Sequence, residues 1–205
     1  MWIYILGLFK LAAEMYPQLL AHIKRQVQLT PAEEQLLCDR MELKKFKKKE
    51  IILEPGQHCK GEYFVLKGLV RQYYVNAKLN EQIVQFGLEN WWIADHDSIV
   101  NHVPAGTYIQ TIEASEILLL HNKDKAPLLE QVPKLETYFR LTMQRAFIAS
   151  QRRIGFLFNQ TDEERFHYFT AMFPDFVQRI PQYMLASYLG FTPQFLSRIR
   201  ARKEK

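Results

Sequence analysis

Gln194 and Arg198 stand one helical turn apart near the start of the last helix that the sequence predicts, with Thr192, Ser197, Arg200 and Arg202 around them. A glutamine amide can pair bidentately with adenine and an arginine guanidinium with guanine, each contact worth about 1–3 kcal/mol in discrimination. From Arg179 to Lys205 six basic residues face a single acid, Glu204, which gives that tail a net charge of +5 and makes a phosphate backbone an attractive partner. The chemistry on offer is the reading of duplex DNA. Gln194 and Arg198 suit bases, and Thr192, Ser197, Arg200 and Arg202 mainly suit phosphates.

Side chains of this kind read DNA only if two helices hold them, and the spacing predicts both. A first helix from about Gln182 to Leu189 carries Leu185 and Leu189 on one face, with small Ala186 beside them where a second helix can approach. Gly190 breaks it, because a sharp turn needs a residue that accepts positive φ. Thr192 can cap the next helix and Pro193 fits its first position. At 100° per residue, Phe195, Leu196 and Ile199 fall on one side of that helix and Gln194, Ser197, Arg198 and Ala201 on the other. The pattern predicts a helix-turn-helix. The plainer alternative is a helical hairpin with a solvated basic end.

The whole chain has 205 residues, 48% of them hydrophobic and 24% charged, with a formal net charge of +5. That composition buries a core in about one large or two small domains and excludes a disordered chain. Cys38 and Cys59 form neither a metal-ligand spacing nor a disulfide framework, which fits a reducing, cytoplasmic setting. The apolar start, residues 1–9, is too short to span a bilayer and has no basic segment before it. It reads as the first turns of a packed helix or as an extension, and no membrane partner is expected.

Upstream of the reader the periodicity changes twice. From Leu11 to Arg40 it is helical, with Leu19, Leu20, Ile23 and Val27 at turn spacing and a capping box at Thr30 to Glu33. After Met41 short apolar or alternating runs predict strands at Ile51–Leu53, Tyr63–Leu66, Leu69–Val75, Gln82–Phe86, Tyr108–Ile112 and Ile117–Leu120, an antiparallel β domain. The lysines from Lys44 to Lys49 resemble a second nucleic-acid patch, but a charged edge strand or loop is the commoner explanation. From Lys134 to Phe158 one long helix is expected, about 35 Å at 1.5 Å per residue. Leu135, Tyr138, Thr142, Arg145, Ala149, Arg152 and Phe156 lie along one stripe of it, and such a mixed stripe could pair with its own copy. A further helix opens with the capping box Thr161 to Glu164 and ends at Pro174-Asp175. The predicted fold class is α+β, with N-terminal helices and an antiparallel β domain over 1–133, which the resemblance below makes a β-roll sensor, a long helix over 134–158 that could pair with its copy, and a helical reader over 159–205.

With these residues placed, the sequence resembles the Crp/Fnr family of transcription regulators over nearly its whole length. The resemblance rests on Ile51 to Gly56, on Tyr63 to Arg71, and on Ala186 to Arg198. It implies a β-roll of the cyclic-nucleotide-binding type, a dimerising helix, and a C-terminal helix-turn-helix exposing Thr192, Gln194, Ser197 and Arg198. The implied partners are double-stranded DNA and a second copy of the chain, with RNA polymerase and a small-molecule effector as further candidates. The sequence departs from the family where cyclic nucleotides bind. Trp92-Ile93-Ala94-Asp95 and Pro104 to Tyr108 stand in place of a glycine-glutamate pair and a downstream arginine. A buried phosphate with no cationic or N–H partner is costly, so ordinary cyclic-nucleotide binding is not expected. A wing, if present, is expected before Pro181, near Phe176 to Ile180.

Other chemistry finds less support. A cupin-like metal enzyme would need clustered ligands, whereas His58, His96, His102 and His121 are scattered. His96, between Asp95 and Asp97, is the one histidine that merits a metal test. No nucleophile has a believable base, and no glycine-rich phosphate loop is present, so neither catalysis nor a cofactor is expected. Trp91, Trp92 and Tyr108 are candidates for lining an apolar effector pocket, although aromatic residues in a β domain are more often core. A sensing or protein-interaction module that does not bind DNA remains the alternative.

Overall fold

The computed structural model describes residues 15–203, apart from the side chains of Pro193 and residues 200–203. The apolar start of the chain, residues 1–9, lies outside the described residues, as do the side chains of Arg200 and Arg202. The chain divides into two compact units. Among the described residues, one comprises 15–72 and 86–144, the other 73–85 and 145–203.

The first unit begins with helices α1 (Pro17–Lys24) and α2 (Pro31–Asp39). Thr30 caps α2 through the expected box: its hydroxyl accepts from the amide of Glu33, and the Glu33 carboxylate accepts from the amide of Thr30. The strands are β1 (Met41–Phe46), β2 (Ile51–Leu53), β3 (Gly61–Lys67), β4 (Val70–Val75), β5 (Glu81–Gly87), β6 (Trp92–Ile93), β7 (Tyr108–Thr111) and β8 (Ser115–His121). They form two four-stranded antiparallel sheets, β1-β8-β3-β6 and β2-β7-β4-β5. The lysine-rich stretch supplies β1, an edge strand paired with β8, in which Lys44 and Lys45 bond to Glu42 and Glu116.

Strand alternation builds two cores from one sheet. Ile117 and Leu119 point inward to meet Leu53, Val70 and Ile109 of the other sheet. Leu118 and Leu120 point outward, where they join Leu19, Ile23, Leu37, Leu128, Leu135 and Tyr138 of the helices. Strand β8 is therefore buried on both faces, which explains its unbroken apolar run. Between β6 and β7 the chain forms a short helix, α3 (His96–Asn101). Asp95 caps it, accepting from the amide of Ser98 at 3.1 Å. Helix α4 (Asn122–Gln131) then leads into α5 (Lys134–Asn159), the long helix the sequence predicts.

The second unit is helical apart from the end of the β4–β5 hairpin. Its helices are the last part of α5, then α6 (Asp162–Met172), α7 (Pro174–Arg179), α8 (Gln182–Leu189) and α9 (Pro193–Lys203). The wing expected near Phe176 to Ile180 is replaced by α7. Pro174 fits a first helical position, Asp175 suits the positive helix start, and Phe176 is buried against the ring of Phe169.

Candidate nucleic-acid interface

Helix α8 spans Gln182–Leu189, as the apolar spacing predicts, and buries Met184, Leu185, Ala186 and Leu189. Ala186 has no exposed surface, consistent with close approach of a second helix. Gly190 ends α8 in the left-handed region at φ 83°, and its amide returns to the carbonyls of Ala186 and Ser187. A Cβ at this position would lie 3.0 Å from Leu157 Cδ2, so conformation and space both favour glycine.

Thr192 then starts α9. Its hydroxyl accepts from the amide of Phe195 at 3.3 Å, and its carbonyl accepts from the amide of Leu196. Leu196 and Ile199 are buried, Phe195 is half-buried with its ring 5.5 Å from that of Phe191, and Thr192, Gln194, Ser197 and Arg198 are exposed. The Arg198 guanidinium lies over the Phe195 ring, 5.5 Å from its centre. This contact steadies an exposed side chain one turn into α9. Gln194, Ser197 and Arg198 therefore share one exposed face, with Thr192 exposed at the helix start.

The end of α8 is anchored by a residue that the sequence does not single out. Arg165 of α6 is buried, and its guanidinium donates to the carbonyls of Leu189, Leu157 and Gln160 at 3.1, 3.3 and 2.6 Å, and to Asp162. Carbonyls at the ends of α5 and α8 lack helical partners and carry the negative ends of the helix dipoles, so one cation satisfies both termini. No periodicity distinguishes an arginine that turns inward from one that faces water.

In the first unit the residues proposed as a pocket go separate ways. Trp91 is exposed. Trp92 packs on Phe64 and Phe139, and its indole donates to the hydroxyl of Tyr138 at 2.7 Å. Tyr108 stands on the other sheet, in β7. The loop around α3 is closed by a polar network of its own. The Asp95 carboxylate accepts from Thr107 Oγ1 at 2.7 Å, Gln72 Nε2 donates to Thr107 Oγ1 at 2.8 Å, and the amide of Cys59 donates to Ser98 Oγ at 3.0 Å. Among the described residues no group of three His, Cys, Asp or Glu side chains could hold a metal ion. Asp95 caps a helix, and His96 lies within that helix.

The stripe on α5 is divided. Leu135 and Tyr138 are fully buried in the first unit's own core, which leaves them unavailable to a partner. Thr142 turns back to the carbonyl of Tyr138, Phe156 rests against Tyr168, and Arg145, Ala149 and Arg152 are exposed. A different set, Met143, Phe147, Ile154 and Phe158, is apolar and exposed and recurs at intervals of four or seven residues.

No protein-family model matches the sequence, and no curated protein matches it at the sequence level. Solved structures do match. The c-di-GMP-responsive global regulator CLP of Xanthomonas campestris superposes with a TM-score of 0.73 at 10% identity, over 85% of this chain and 92% of that one. FixK2 of Bradyrhizobium japonicum gives 0.67 at 16%, over 79% and 83%. A structure described as of the crp/fnr family, from Eubacterium rectale, gives 0.68 at 15%, over 86% and 84%. The fold is that of the Crp/Fnr regulators. The β-roll and the C-terminal helix pair implied by the sequence resemblance are both present in it. Among the described residues no helix is long and apolar enough to cross a membrane.

Proposed function

We propose that this chain is a sequence-specific DNA-binding transcription regulator, and not an enzyme, that acts in the cytoplasm as a homodimer. The observation that carries the reading is the division of α9. Leu196 and Ile199 are buried against the unit, while Gln194, Ser197 and Arg198 stand together on the exposed side of a capped helix that follows a left-handed glycine. In the major groove Gln194 and Arg198 would reach base edges, with Thr192, Ser197, Arg200 and Arg202 on the flanking phosphates.

The dimer is supported by α5, where every residue from 143 to 152 is exposed. A helix that presents Met143, Phe147 and, further on, Ile154 and Phe158 to water is best satisfied by a second copy of itself. A two-fold partner would also place two readers on two half-sites. Ordinary cyclic-nucleotide binding in the β-roll is disfavoured by Asp95. Its buried carboxylate occupies the loop between β6 and β7 and would repel a phosphodiester there.

The test is selection of bound sequences from a random duplex pool at near-physiological salt, with Arg198→Ala as control. A palindromic motif that the control relaxes at one base position supports the reading. Loss of a motif altogether, also with cell extract added to supply an effector, overturns it in favour of a sensing or interaction module.

A further inference from the structure

Strand β5 is the edge of its sheet, and an edge strand presents unpaired amides and carbonyls. In this chain the outer edge of β5 is closed by side chains of the helical unit. Ser187, on the helix that supports the reader, donates from Oγ to the carbonyl of Glu81 at 2.8 Å and accepts from the amide of Ile83 at 3.0 Å. One hydroxyl thus takes the place of a neighbouring strand, bonding both the carbonyl and the amide of a residue pair two apart. Beside it Arg153 of α5 donates to the carbonyls of Ile83 and Val84 at 3.1 and 3.0 Å, and to the carbonyl of Tyr188 at 2.8 Å. Its guanidinium also lies over the Tyr188 ring, 4.3 Å from the centre. The cation bridges hairpin and helix, with five bonds made between two side chains and the backbone.

These bonds run to the backbone, so they report the path of the hairpin and not its side chains. We infer that Ser187 and Arg153 are positioning residues for the DNA reader: within the second unit they clasp the backbone of residues 81–84 to α8, and so hold in place the helix on which α9 is seated. This rests on the proposed DNA reading only for its consequence; the clasp itself is independent of DNA.

The experiment compares amide hydrogen exchange in the full-length wild type, Ser187→Ala, Ser187→Thr and Arg153→Lys, alongside affinity for the selected duplex and a scrambled one. Ser187→Ala removes both bonds, Ser187→Thr retains the hydroxyl, and Arg153→Lys keeps the charge but not the fork. The clasp predicts exchange about tenfold faster at residues 81–85 and also in α8 for Ser187→Ala and Arg153→Lys, with wild-type protection in Ser187→Thr. It further predicts several-fold weaker binding to the selected duplex with the preferred motif unchanged, the mark of a positioning role. Unchanged exchange, or faster exchange confined to the hairpin, overturns the clasp. Faster exchange in both segments with unaltered affinity overturns the positioning role. If the wild type selects no motif, the DNA reading fails, and exchange in α8 alone decides the clasp.

Discussion

Arg165 donates from Nε to the carbonyl of Leu189 at 3.1 Å, joining the start of α6 to the last residue of α8. The same guanidinium reaches Leu157 and Gln160, so one side chain holds the ends of three segments. Arg165→Met would leave those carbonyls unsatisfied, at a cost of about 3 kcal/mol or more. Chemical denaturation followed by far-ultraviolet circular dichroism should show the loss. Arg165→Lys, which can satisfy at most part of the set, should fall between the two. Equal stability of the methionine variant and the wild type would contradict the role given to Arg165.

Gly190 gives a second, smaller number. At φ 83° an alanine is strained by about 1–2 kcal/mol, and its Cβ would press on Leu157 Cδ2 at 3.0 Å. Gly190→Ala should therefore lower stability by that amount, whereas Gly190→Asn, which tolerates the left-handed region better, should lose less. Thermal melts of both variants order them. The prediction fails if alanine proves the milder change.

These two residues show what was legible in the sequence. Gly190 could be read because a tight turn between two apolar helices admits little else, and the α8 and α9 faces followed from spacing alone. Most strands were legible for the same reason, because alternation and turn residues are local. Arg165 was not, because its partners are carbonyls and every residue offers one. The clasp was hidden likewise: Ser187 and Ile83 are far apart in sequence and meet through backbone groups. On α5 the stripe from Leu135 to Phe156 had the right period, but periodicity identifies a face without saying which neighbour covers it. Helix α7 replaced the expected wing because Pro174-Asp175, read as a helix end, is equally a helix start.

Cys38 gives a pH dependence. Burial pushes its thiol from an ordinary 9.0 up to about 12, and nearby Asp39 and Glu34 add to the shift. Above pH 9 the unfolded chain loses this proton while the folded chain keeps it. The stabilising contribution is then present below pH 9 and is lost as pH rises toward 12, by up to about 1.4 kcal/mol per pH unit. Cys59, Tyr63 and Tyr138 are also raised by burial and act in the same direction. Stability measured between pH 8 and 11 should fall, and the slope should be shallower in Cys38→Ala. An identical slope in that variant would exclude Cys38 as a contributor.

Phe147 tests the dimer. Its side chain is 63% exposed midway along the exposed stretch of α5, with Met143 one turn before it and Ile154 two turns after. In a self-paired helix such a residue becomes core, where a carboxylate is desolvated without a partner and meets its own copy across the two-fold axis. Phe147→Glu should therefore weaken association by a hundredfold or more while leaving the fold intact, because within one chain the residue is already in water. Sedimentation equilibrium reads the association, and circular dichroism confirms the fold. Arg152→Glu, on the exposed face away from Met143 and Phe147, should change association far less. If both variants sediment as the wild type does, the pairing face lies elsewhere on the chain. If Phe147→Glu alone becomes monomeric, its affinity for a palindromic duplex should fall to that for a single half-site, linking the helix face to the spacing of the two readers.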